Sequence, residues 1–168
     1  MTYTRTLTLA SPVSLADAKD HLRVLHDDDD LLIQRYVLAA AREIEAYCEI
    51  ALTRQTIAFV GMAQDGILTL PVGPLAQDHA LTVNGVPVST GISGGRYPSV
   101  ALPNVTGYVG ITYSAGFGDT SALVPDDLQL AVMEQAAFAY DHRGDVEAKP
   151  GLTPAAARIC ARYRGVRA

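Results

Sequence analysis

Apolar side chains recur at three- and four-residue steps between Asp29 and Glu49, and this spacing predicts a long amphipathic helix. A shorter helix is predicted before it, over about residues 15–25, where Ser14 and Asp17 have the spacing of a helix cap. Four consecutive aspartates, Asp27–Asp30, separate the two helices and place negative charge ahead of the second one. The N-terminal part of the chain is therefore predicted to be a helical pair joined by an acidic turn.

The character of the chain changes over about residues 53–117, where Gly, Pro and Asn separate short β-branched segments. Asn84-Gly85 lies between two such segments and is a strong signal for a two-residue hairpin turn. A further strand or extended arm is predicted at Tyr3–Leu9, where threonine alternates with other residues. The strands predicted in the middle of the chain are Gln55–Val60, Ile67–Leu70, Ala80–Val83, Ser99–Leu102 and Tyr108–Tyr113. Together they predict a small antiparallel β module inserted between helices.

A third helix is predicted over about residues 125–143, since Pro125 and the acids after it suit the first turn of a helix. Most of its circumference between Leu128 and Tyr140 is apolar, so it must be covered on more than one side. In a chain of 168 residues, a neighbouring subunit is an expected source of part of that cover. The fold class is therefore predicted to be α+β, with a helical core of three main helices, a short C-terminal helix and the inserted β module.

The C-terminal segment differs in charge from the rest of the chain. Residues 144–153 are typical of a linker, and Thr153 with Pro154 predicts a short helix to about Tyr163. The net charge of the chain is −5, yet no acid follows residue 148, whereas the bases there are Lys149, Arg158, Arg162, Arg164 and Arg167. We therefore expect one main domain at residues 1–145, followed at 146–168 by a linker and a basic docking helix with a partner of its own.

Composition and motifs favour a folded protein without catalytic chemistry. The chain is 49% hydrophobic and 18% charged, and no apolar run reaches the ~20 residues needed to cross a bilayer. We expect synthesis in the cytoplasm, no membrane partner, and reduced thiols at Cys48 and Cys160. The run Asp27–Asp30 lacks the glycine and distal glutamate of a calcium loop, and Gly91–Arg96 lacks the lysine of a phosphate loop. No metal, cofactor or catalytic site is predicted.

Three blocks of sequence resemble the head–tail connector (adaptor) proteins of tailed bacteriophages and gene transfer agents. The first is the helical pair, "SLADAKDHLRV" followed by "DDDDLLIQRYVLAAAREIEAY". The second is Leu70–Leu75, which is similar to an "LPxxPL" segment of that family. The third comprises Tyr113–Asp119, Val124–Leu128 and Tyr140–Arg143. In this order the blocks span most of the chain up to Gly144.

The resemblance implies a structural, non-enzymatic subunit in the neck of a phage-like particle. Such adaptors form a ring, here expected to hold twelve copies, between the portal and the stopper or tail, and DNA leaves through the lumen without specific binding. Under this hypothesis the portal-binding residues are Arg158, Arg162 and Arg164, and the subunit interface comprises Leu128, Val132, Ala136, Ala137, Tyr140 and Tyr36. The alternatives left open are a DNA-packaging or DNA-binding accessory protein that acts through its basic tail, and a generic oligomeric scaffold that assembles without a portal.

Overall fold

A computed structural model describes residues 3–6, 10–78, 80–89, 91–95, 98–103, 105–144 and 151–164. Within these residues the chain forms four α-helices and two antiparallel sheets, which confirms the α+β class. The chain divides into two compact units. The β unit contains residues 49–119 and the N-terminal strand, whereas the helical unit contains residues 10–48 and 120–166. Residues 145–150 of the predicted linker, which include Lys149, and the terminal Arg167 lie outside the described residues.

The helical unit contains α1 (Leu15–Leu22), α2 (Asp30–Cys48), α3 (Asp126–Asp141) and α4 (Pro154–Cys160). Each lies where the sequence predicts it, and the ends differ by a few residues. The hydroxyl of Ser14 accepts a hydrogen bond from the backbone N–H of Asp17 at 3.1 Å, as the capping pattern predicts. α1 ends earlier than predicted because Arg23 adopts a left-handed conformation, in which its N–H bonds the carbonyl of Asp20.

The core of the helical unit is formed by one face of α2 packed against α3 and α4. Its buried side chains include Ile33, Val37, Ile44, Leu128, Val132, Ala156 and Ile159. α4 contributes directly to this core, since Ala156, Ile159 and Cys160 are buried. This packing differs from the tethered tail that the sequence analysis expects, because an apolar face of α4 already has its partner within the chain.

The β unit contains two sheets, with strand orders β1-β2-β8-β4-β5 and β3-β7-β6. The strands are β1 (Tyr3–Thr6), β2 (Gln55–Ala63), β3 (Ile67–Thr69), β4 (Leu81–Val83), β5 (Val86–Pro87), β6 (Ile92–Ser93), β7 (Ser99–Ala101) and β8 (Gly107–Ala115). The hairpin prediction is confirmed, because Asn84 and Gly85 both have positive φ and connect β4 to β5. The long antiparallel pair of β2 and β8 forms the centre of the larger sheet.

Alternate residues of β2 and β8 point into the core of the β unit, and residues between them face outward. Tyr113 is fully buried, and its hydroxyl donates to the carbonyl of Val72 and accepts from the amide of Val72, both at 2.9 Å. Burial raises the pKa of Tyr113 above its ordinary value, so the phenol remains protonated. These bonds attach the "LPVGPL" segment to the central strand.

Candidate assembly surfaces

The acidic turn between α1 and α2 is held in place by a lysine of α1. Lys19 Nζ lies 2.5 Å from Asp27 Oδ1 and 2.7 Å from Asp30 Oδ1. The hydrogen bond to Asp27 raises the pKa of Lys19, and the same bond lowers the pKa of Asp27. Two of the four aspartates therefore have a local role, which is to fix the course of the turn.

The same turn presents a leucine to solvent. The side chain of Leu25 is 96% exposed, and His26, Asp27 and Asp28 follow it. His26 Nδ1 lies 3.9 Å from Asp28 Oδ2, and the Asp28 side chain is exposed. We call Leu25, His26, Asp27 and Asp28 the acidic knob. An apolar side chain with this exposure on a braced turn is suited to contact with another molecule.

Two predicted interface residues, Tyr36 and Tyr140, lie together beside this turn. Their rings meet edge to face, with centroids 6.2 Å apart, and Arg143 lies over the Tyr140 ring at 4.4 Å. The hydroxyl of Tyr140 donates to Asp29 Oδ2 at 2.5 Å. Both tyrosines are partly exposed. We call Tyr36, Tyr140 and Arg143 the tyrosine patch, and Asp29 connects it to the acidic turn.

The other predicted interface residues divide by exposure. Leu128 and Val132 have no exposed surface, and Ala136 is 2% exposed. Their cover comes from the chain itself, since α2 and α4 both pack against α3. Ala137 is partly exposed. Apolar periodicity identifies such positions as buried, but it does not distinguish burial within one chain from burial between two.

The predicted portal-binding arginines all have exposed side chains on or just after α4. Arg158 lies in the last turn of the helix, while Arg162 and Arg164 follow its end. Arg162 Nη2 lies 3.3 Å from Asp127 Oδ2, and the guanidinium of Arg164 lies over the Tyr47 ring at 4.9 Å. The arginines therefore extend from a segment that is fixed to the helical unit.

Asp127 is the anchor of this segment, and the sequence analysis assigns it no such role. Besides its ion pair with Arg162, it accepts a hydrogen bond from the hydroxyl of Tyr163 at 2.7 Å. Burial and this bond raise the pKa of Tyr163 to about 12. Nothing in the spacing of Asp127 and Tyr163 indicates the contact, because 36 residues separate them.

The described residues contain no group of three or more side chains suited to holding a metal ion. In the same part of the chain, no helix is both long and apolar enough to traverse a bilayer. Cys48 and Cys160 are both buried and form no disulfide, and Cys48 Sγ lies 3.6 Å from the carbonyl oxygen of Cys160. Three surface features of the described residues are candidates for function: the acidic knob, the tyrosine patch and the arginines of the α4 segment.

Comparison with known proteins relates the chain to proteins of phage-like particles. A model of the phage gp6-like head–tail connector protein family matches residues 12–79. The whole chain is similar to one in the neck of an empty gene transfer agent particle computed with C6 symmetry, at 27% identity and a TM-score of 0.78. That alignment covers 100% of this chain and 97% of the other.

Two further structures give the same result with the same coverage. The virion of a native gene transfer agent particle contains a chain with 25% identity and a TM-score of 0.77, covering 100% of this chain and 97% of that one. The neck of a native particle computed with C12 symmetry contains one with 26% identity and a TM-score of 0.76, again covering 100% and 97%. No curated protein sequence matches the chain.

Proposed function

We propose that this chain belongs to the phage gp6-like head–tail connector family, whose model matches residues 12–79, and that it is a structural adaptor subunit in the neck of a phage-like particle. The observation that carries the proposal is the full-length likeness to a chain in the neck of a gene transfer agent particle, at a TM-score of 0.78. Synthesis in the cytoplasm followed by incorporation into the particle neck is part of the proposal.

The adaptor acts as a ring of identical copies. Structures with similar chains were computed with C6 and C12 symmetry, which supports a ring and favours twelve copies. Of the interface residues expected from the sequence, Tyr36, Ala137 and Tyr140 retain exposed surface for a neighbour. Leu128, Val132 and Ala136 support the interface from inside the subunit, because they hold α3 against α2.

The ring lies between the portal and the stopper or tail, and Arg158, Arg162 and Arg164 contact the portal. Support for this role comes from their exposure and from the anchoring of their segment by Asp127, since a fixed array loses less entropy on binding than a mobile tail. Twelve copies would repeat the same three charges around the ring, so weak individual contacts would add up.

DNA passes through the lumen of the ring without specific binding. The net charge of −5 supports this, because a negative wall repels phosphates. The alternative is a DNA-packaging or DNA-binding accessory protein that uses the α4 arginines. In that case the same three residues would contact phosphates, and the interaction would weaken steeply with salt.

The portal contact is tested by mixing the purified chain with its cognate portal ring and measuring co-migration and stoichiometry. Removing the tail is unsuitable, because Ala156, Ile159 and Cys160 belong to the core and their loss would expose it. Arg158→Glu reverses one exposed charge and keeps α4. Arg23→Glu, an equal charge change at an exposed site at the end of α1, is the control.

We expect stoichiometric binding by the wild-type chain and by Arg23→Glu, and binding at least about tenfold weaker for Arg158→Glu. Equal binding by all three proteins would contradict the assigned contact while leaving the adaptor role intact. Absence of binding by the wild-type chain would contradict the adaptor role itself.

A further inference from the structure

The outward face of α2 contains a hole of the kind that receives a side chain from another helix or turn. Arg35, Leu38, Ala39 and Arg42 have the spacing i, i+3, i+4 and i+7, which is the four-residue hole of helix packing. The two arginines and Ala39 are exposed, and Leu38 is partly exposed. We call this set the arginine-flanked hole, because its apolar floor lies between two positive charges.

The acidic knob has the complementary chemistry. It presents one apolar side chain, Leu25, together with the exposed carboxylates of Asp27 and Asp28. The ion pairs of Lys19 with Asp27 and Asp30 hold the turn, so little conformational freedom remains to be lost when it docks. A leucine surrounded by acids fits a small apolar hole flanked by bases, and it does not fit an acidic or a large flat surface.

We propose that the acidic knob of one copy docks into the arginine-flanked hole of the next copy, so that Leu25 contacts Leu38 and Ala39 while Asp27 and Asp28 face Arg35 and Arg42. The inference rests on the proposed ring and names the contact that builds it. Leu25 is 96% exposed in the single chain, so it does not occupy the hole of its own subunit.

The contact joins two different patches of the same chain, which makes it head-to-tail. Head-to-tail contacts between identical copies generate rings when the rotation closes, whereas a contact of one patch with itself gives only a pair. Both patches lie on α2 or on the turn that precedes it, so one rigid helix carries the two halves of the joint. The tyrosine patch lies beside the acidic knob, because the hydroxyl of Tyr140 donates a hydrogen bond to Asp29 of the same turn.

Nearby charges agree with this pairing. Glu43, which borders the hole, accepts a hydrogen bond from the Gln135 side chain at 2.7 Å and is thus held toward α3. Arg143 lies over Tyr140 rather than in the knob. Lys19 neutralises part of the charge of Asp27 and Asp30, so Asp28 is the main acidic group of the knob, while Arg35 and Arg42 make the hole basic.

The experiment is a charge exchange between two variants of the full chain. Asp28→Arg makes the knob basic, Arg42→Asp makes one side of the hole acidic, and each variant alone should repel its own copies. A 1:1 mixture pairs the basic knob with the acidic hole and the native knob with the native hole, so it should assemble with the two variants alternating. Assembly is measured by light scattering and native mass spectrometry, with the wild-type chain under the same conditions, alone and with the portal ring.

We expect each variant alone to need at least about tenfold more protein than wild type to assemble, and the mixture to recover most of that loss. Recovery by mixing also shows that both variants are folded. Leu25→Ser should weaken assembly similarly, whereas Leu123→Ser, at another exposed leucine of the helical unit, should not.

Assembly of either single variant at wild-type concentrations would overturn the knob-and-hole contact and leave the adaptor role in place. Failure of the mixture to recover assembly would overturn it as well. A wild-type chain that remains a monomer both alone and with the portal would instead overturn the proposed function, and the inference with it.

Discussion

At the scale of single residues, the strongest constraint lies at the junction after the central strand of the β unit. Gly116 follows β8 with a φ of +127°, and a Cβ added there would clash with the carbonyl oxygen of Thr53. Both the backbone conformation and the close approach therefore require glycine. The sequence places Gly116 in a block that resembles a family pattern, but it does not indicate that the segment before β2 approaches it, because that contact is tertiary.

Replacing Gly116 with alanine is expected to destabilise the protein by about 3 kcal/mol, since the strained φ and the clash with the Thr53 carbonyl add. The measurement is the free energy of unfolding in urea, followed by circular dichroism. Gly94→Ala is the matched control, because a Cβ there meets nothing within 4 Å. Equal stability of the two variants would contradict the constraint at Gly116.

At the scale of elements, the periodicity of apolar residues predicts where the helices lie, but it does not predict which elements they pack against. α2 and α3 are found where apolar residues recur at helical spacing, and Asn84-Gly85 forms the predicted turn. The role of α4 differs from the expectation because a basic composition describes its exposed face, whereas its three buried residues determine where it packs. The exposure of Leu25 was equally inaccessible to sequence, since an isolated leucine in a turn has no period.

The anchoring of the α4 segment through Tyr163 predicts a dependence of stability on alkaline pH. The pKa of Tyr163 is raised to about 12 in the folded chain, above the ordinary value of 10.0, so folding favours the protonated phenol. This contribution is complete below about pH 10 and is lost as the pH rises through about 12. Tyr163→Phe should therefore be less stable than wild type at pH 8 and should lose less stability above pH 10.

The measurement is urea unfolding of both proteins at pH 8 and at pH 11. Tyr108→Phe, which alters an exposed tyrosine of the β unit, is the control and should keep the wild-type pH profile. A Tyr163→Phe profile that parallels the wild type between the two pH values would show that the Asp127 contact makes no contribution to the pH dependence.

At the scale of the whole molecule, charged residues of opposite sign are grouped into separate patches. The helical unit contains both the acidic knob and the α4 arginines, so a single folded body presents surfaces of opposite sign. The net charge of −5 nevertheless dominates at distances beyond the contact surfaces. Net charge follows from composition alone, but the grouping of charges into patches required the fold.

This distribution predicts weak interaction with DNA. The wild-type chain at micromolar concentration should not shift duplex DNA at physiological salt, measured by fluorescence anisotropy of a labelled duplex. A control protein with known non-specific DNA affinity confirms that the assay responds. Salt-sensitive binding that Arg158→Glu weakens would contradict a lumen that DNA passes through without specific binding, and it would favour the DNA-binding alternative.

The order of the strands along the chain limits which segments can be exchanged by recombination between related proteins. β1 comes from the N-terminus and pairs with residues 56–59 of β2, although α1 and α2 lie between these strands in sequence. A gene fragment for residues 49–119 would transfer the β unit without the strand that covers this edge, and a bare edge invites pairing with other chains. Recombination between relatives would therefore succeed only where the recipient's own N-terminal strand matches the incoming sheet, which makes those few residues a test of compatibility.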